Sequence, residues 1–103
     1  MRETVAGLIE AVQRGSVHDA ERILKAGVDP NGKAEADDRT PLIHAAISGD
    51  RRMTRLLVSY GADPNCTDDV DWNASMYAGL EGFDHIVNDL DPLVGSESDA
   101  VRT

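Results

Sequence analysis

One cysteine, one tryptophan, one phenylalanine and two lysines are all that this 103-residue sequence holds of those four residue types, and each scarcity excludes something. The lone Cys66 cannot close an internal disulfide, so no covalent staple is expected and a reducing compartment fits. Aromatic residues make up 4% of the chain, which leaves packing to Leu, Ile, Val and Ala in one small domain with a modest core. No run of about 18 apolar residues is present, so no membrane span is expected. Met1-Arg2-Glu3 does not open a secretory signal, and the expected location is the cytoplasm. Glycine-rich phosphate loops are missing, and Cys66 has no adjacent base. Neither catalysis nor a cofactor is expected.

Positive charge is also short. Lys and Arg number 10 against 19 Asp and Glu, giving a net charge of −9 and excluding a basic face for nucleic acid. A basic protein partner is one explanation of that imbalance. A GC-rich or salt-adapted organism is the other, since arginine outnumbers lysine and aspartate outnumbers glutamate.

What the chain does have is a repeat of about 34 residues. Ala26-Gly27-Val28-Asp29-Pro30-Asn31 returns as Tyr60-Gly61-Ala62-Asp63-Pro64-Asn65, and Gly15 returns as Gly49 and Gly82. In the middle copy, Thr40 before Pro41 reads as a helix N-cap followed by proline at the first helical position. Leu42, Ala45 and Ala46 form an apolar stripe at helical spacing, and Gly49 ends the helix in a left-handed conformation. Met53, Leu56 and Leu57 supply the buried face of a returning helix, which Gly61 closes. Asp63-Pro64-Asn65 is a turn-forming run that starts a hairpin toward the next unit.

The order Arg39-Thr40-Pro41-Leu42-Ile43-His44-Ala45-Ala46, Gly49, Leu56-Leu57 and Gly61-Ala62-Asp63-Pro64-Asn65 resembles the ankyrin repeat along its whole length. The resemblance implies an all-α solenoid of about three helix-turn-helix units joined by short hairpin loops, spanning residues 2–33, 34–65 and 66–91 of a domain at 1–94. The outer copies are degenerate, as caps are. The first lacks the Thr-Pro opening, and the third has Asn73-Ala74-Ser75 in that place. Leu93 and Val94 are expected to tuck under the last helix pair, and 95–103 reads as a disordered tail.

In this family the hairpin tips and the exposed side of each first helix form a concave binding surface. Carried onto this chain, the partner-binding residues are Asp37, Arg39, Ile47, Asp69, Val70, Asp71, Trp72, Leu80 and Glu81. Gln13, Arg14, Lys33, Ala36 and Ser48 complete the surface. Glu35, Asp37 and Asp38 mark one acidic tip, and Asp68, Asp69 and Asp71 mark the next. Trp72 has two readings. It is an exposed aromatic anchor beside Val70, Leu80 and Ile47, or part of a cap packed on Met76 or the tail.

Other candidates carry less. His18, His44 and His85 sit in different repeats without metal-ligand spacing, so no metal is expected. Ile43 stands where the family has its histidine, with His44 one place later. The run from Asp69 to Ser75 alternates oxygen ligands like a calcium loop, but it lacks the sixth-place glycine and has Leu80 at the twelfth. Asn73-Ala74-Ser75 is a glycosylation acceptor in form only. Arg51, Arg52 and Arg55 are expected to pair with Asp50 or neighbouring acids. The expected function is protein binding through acidic tips, as an inhibitor of antitoxin, immunity or counter-defence type or as an adaptor in a larger complex. A monomer or weak homodimer fits either role.

Overall fold

In the computed structural model, which describes residues 4–94, helices form wherever an apolar stripe is bracketed by a capping side chain and a glycine. Three helix pairs result among the described residues: α1 (Val5–Arg14) with α2 (Val17–Lys25), α3 (Pro41–Ser48) with α4 (Arg51–Ser59), and α5 (Ala74–Glu81) with α6 (Asp84–Leu90). The first helices α1, α3 and α5 stack in one row, and α2, α4 and α6 in a second. The chain is therefore an all-α solenoid.

The first helix of each pair starts on a polar side chain that accepts a backbone N–H of the first turn. Thr40 Oγ1 accepts from Ile43 N at 3.2 Å, with Pro41 in the first turn. Thr4 does the same for Gly7 N at 3.1 Å without a following proline. Asn73 Oδ1 accepts from Met76 N at 2.9 Å, so the third unit has a cap without the Thr-Pro opening. Gly15, Gly49 and Gly82 end these helices at φ 74°, 75° and 80°, the left-handed region that glycine enters without steric cost.

The core runs between the two rows. Leu8, Leu42, Ile43, Ala45, Ala46, Met53, Leu57, Ala78, Ile86 and Leu90 are almost fully buried. Leu56 packs against this cluster but stays half-buried, so the returning helix buries less than its leucine pair suggests. Alanines at Ala45, Ala46 and Ala78 let the first helices approach closely.

Successive units are also tied through their loops. Asn31 Oδ1 accepts from Asp63 N at 2.6 Å while its Nδ2 donates to the Gly61 carbonyl, and Lys33 Nζ donates to the Thr67 carbonyl at 2.7 Å. Asp69 N donates to the Asp37 carbonyl at 3.1 Å, joining the two hairpin tips.

Arg51 reaches forward to the next unit: its Nε and Nη2 donate to the two Asp89 oxygens at 2.8 and 3.1 Å, and Arg55 Nε adds a third bond at 3.3 Å. Of the two expected kinds of partner, Asp50 or a neighbouring acid, Arg51 and Arg55 take the second, while Asp50 caps α4 by accepting from Met53 N at 3.1 Å. Of the two residues expected to tuck under the last helix pair, Val94 is half-buried, while Leu93 is 39% exposed and lines a 260 Å³ groove with Thr54, Val58 and Leu90. The expected tail at 95–103 lies outside the described residues.

Candidate functional site

Two hairpin loops hold the candidate surface. The first is closed by Ala34 N donating to the Arg39 carbonyl, and the second by Asp68 N donating to the Trp72 carbonyl. Each turns on an aspartate at positive φ, Asp38 at 60° and Asp71 at 64°, a conformation that Asp and Asn tolerate better than larger side chains.

Asp68 organises the second loop. Its Oδ1 accepts from Val70 N at 3.1 Å and Trp72 N at 3.0 Å, while its Oδ2 accepts the Tyr77 hydroxyl of α5. Arg39 Nε, buried and without a hydrogen bond, lies 3.7 Å from the same oxygen and 3.6 Å from Asp37 Oδ2. Burial pushes the Asp68 carboxyl up, but the bonds from Tyr77, Trp72 and Val70 and the charge of Arg39 outweigh it and hold the group below its ordinary value. Tyr77 moves the opposite way, since its bond to the carboxylate and its burial both favour the protonated phenol. Asp68 is only 5% exposed, which removes it from the set of free tip acids.

Arg39 then bridges the loops. Its guanidinium carbon sits 5.3 Å from the centroid of the Tyr77 ring, a cation–π distance, and its backbone N donates to Asp37 Oδ1 at 3.1 Å. Trp72 lies against the same Tyr77 ring, at 5.2 Å between centroids and a 52° tilt. The indole is therefore half-buried with its ring on Tyr77, and the tail lies outside the described residues. Burial lowers the neighbouring half-buried His44 imidazole, with Asp37 raising and Arg39 lowering it further.

Of the expected binding residues, Asp37, Arg39 and Trp72 are brought into this one network. Val70 at 60% and Leu80 at 67% exposure stand outside it as apolar projections, with Asp69, Asp71 and Glu81 exposed around them. Ile47 is half-buried and packs against the core. Sequence reasoning missed Tyr77, the residue on which Asp68, Arg39 and Trp72 converge. Its signal was an aspartate at the start of a hairpin followed nine positions later by a helical tyrosine. Burial pushes the half-buried Cys66 thiol up, away from a reactive thiolate. Among the described residues no cluster of His, Cys, Asp and Glu could hold a metal, and no helix is long and apolar enough to cross a membrane.

Stacked helix pairs joined by hairpins that display a preorganised polar and aromatic strip define a repeat-solenoid binding protein. The family model for ankyrin repeats, in three copies, matches residues 8–93, and the chain belongs to the ankyrin repeat family. Repeats of this family mediate protein–protein interaction. The chain is 39% identical over 90 residues to cyclin-dependent kinase 4 inhibitor B of Bos taurus, covering 86% of this chain and 63% of that protein. Against the protein of that name from Homo sapiens it is 37% identical over 89 residues, covering 85% and 59%. The chain thus spans less than two thirds of the length of these curated relatives. A putative ankyrin repeat protein of Neisseria meningitidis is 30% identical over 79 residues, covering 77% of this chain and 31% of that protein.

Proposed function

We propose that this chain inhibits a partner protein by covering it with the surface of its hairpin tips and first helices, without a reaction of its own. The observation that carries this reading is the match, along nearly the whole described stack, to relatives named as kinase inhibitors. The geometry supports it: Asp68, Arg39, Tyr77 and Trp72 are fixed before any partner arrives, so little ordering entropy is lost on docking. The partner surface is basic, facing Asp69, Asp71 and Glu81. A protein kinase is the first enzyme class to assay. An antitoxin, immunity or counter-defence role is the form the same occlusion takes if the partner is a toxin or a foreign enzyme, in the cytoplasm. An adaptor role remains the alternative, in which binding leaves the partner active.

The test is a titration of the intact chain against an active cyclin-dependent kinase 4–cyclin complex, alongside a pull-down from native lysate with mass spectrometry. An Asp69→Lys, Asp71→Asn variant is run in parallel, with asparagine chosen because residue 71 sits at positive φ. Inhibition of the kinase, or of any captured enzyme, that disappears in the variant supports the reading. Capture without any change in the partner's activity selects the adaptor role.

A further inference from the structure

Counting back from the terminal glycine of each first helix, three pairs of residues hold the same register: Ile9 and Val12 in α1, Ile43 and Ala46 in α3, Met76 and Gly79 in α5. The first two pairs are buried, and α1 packs on α3 as α3 packs on α5. Met76 is 49% exposed, Gly79 is exposed, and Leu80 beside them is exposed by two thirds of its surface. Together they leave an apolar stripe with a glycine notch exposed on α5.

Charge says what covers that stripe. From Leu56 to Val101 the sequence contains no lysine or arginine. Two acids of the third unit are compensated by the second, Asp68 by Arg39 and Asp89 by Arg51 and Arg55. No ion pair holds Asp69, Asp71, Glu81, Asp84 or Asp91 among the described residues, although Asp91 accepts the Ser75 hydroxyl. Cations are handed forward from the second unit to the third, and the third unit has acids but no cation of its own. A second copy meeting this face would bring together two chains that each carry a net charge of −9.

We propose that the α5 face centred on Met76, Gly79 and Leu80 is the core of a docking surface for a helical element of another protein, apolar where it meets the stripe and carrying arginine or lysine opposite Glu81 and Asp84. The inference rests on the binding role above and moves the centre of contact from the concave strip to the exposed stripe of α5. The Arg51–Asp89 junction supplies the pattern, since there too a guanidinium crosses between neighbouring helix pairs beside an apolar contact.

The experiment uses 15N-labelled intact chain and a short amphipathic peptide with leucines at i and i+4 flanked by arginines, beside versions carrying glutamate for arginine and serine for leucine. The arginine peptide should shift the amides of Met76, Gly79 and Leu80, and neither control should do so. Met76→Glu and Asp84→Lys, both at exposed positions and with folding checked by circular dichroism, should each weaken binding about tenfold or more. Shifts centred on Ile47, Ser48 and Asp69, equal binding of the glutamate peptide, or no binding at all would overturn the proposal. So would concentration-dependent shifts at Met76 without peptide, which would make a second copy the occupant. Loss of partner binding in the Asp69→Lys, Asp71→Asn variant but not in Met76→Glu would sink this inference and leave the concave reading standing. Loss in neither would sink both.

Discussion

The ring of Phe83 occupies the space that a side chain on Gly49 would need: a Cβ built there would lie 2.7 Å from Phe83 Cζ. Phe83 stands at the N-cap position of α6, where α2 has Ser16 and α4 has Asp50, and it makes no side-chain cap. The last unit thus forgoes a cap on α6 and gains an aromatic plug in the notch above Gly49.

Gly49→Ala should therefore destabilise the fold by about 1–3 kcal/mol, through strain at φ 75° and the clash with Phe83. Gly79→Ala should do the reverse. It is an interior helical glycine with only Val87 Cγ2 nearby, at 3.9 Å, and alanine there is worth about 0.5–1 kcal/mol. Urea melts of the two variants should move in opposite directions.

Removing the buried Asp68 carboxylate strands two backbone N–H groups and the Tyr77 hydroxyl and takes from Arg39 one of its two carboxylate partners. Asp68→Ala should cost about 3–5 kcal/mol, whereas Tyr77→Phe, which loses one bond, should cost about 1–2 kcal/mol. Asp68→Ala should also red-shift the fluorescence of Trp72 as its seat on Tyr77 loosens. An unchanged emission maximum would show that the indole does not depend on the loop.

Arg51, against burial and helped by Arg55, holds the Asp89 carboxyl down at about 2. A carboxyl depressed in the folded state stabilises the fold above its unfolded pKa of 3.8, and that contribution is lost as pH falls toward about 2. Asp89→Asn should remove this part of the acid limb, flattening the melting temperature between those two values. At neutral pH the cost should be about 1 kcal/mol or less, because both arginines are substantially exposed.

The fold was legible because each of its decisions is local. A capping side chain, a stripe at helical spacing and a glycine at the end are read within one unit, and Thr40, Pro41 and Gly49 behave in three dimensions as their spacing indicates. The site was less legible because it is built across units. Arg39 meets Tyr77 only when the second and third units stack, and Asp89 draws Arg51 away from its chain neighbour Asp50. Acidity in the sequence could not separate Asp68, which the fold buries, from Asp69, which it leaves in water. Nor could it reveal that Trp72 would share a ring contact instead of standing free.

Thr40 is 1% exposed and its hydroxyl oxygen accepts from Ile43 N, so Thr40→Val, which keeps the shape and deletes the acceptor, should cost about 1–2 kcal/mol. Thr4→Val should cost less, since that cap is exposed to water that can replace it. Comparison of the two by chemical denaturation separates the worth of a cap from the worth of its burial.

The ion pairs between the second and third units run one way along the chain. Arg39, Arg51 and Arg55 precede Asp68 and Asp89 in the chain, so during synthesis the cations of the second unit emerge before the acids they compensate. The second unit can form while its arginines are still solvated, and the third then arrives onto a surface already charged to receive it. The reverse order would leave a chain segment of like charges with no counter-ion of its own.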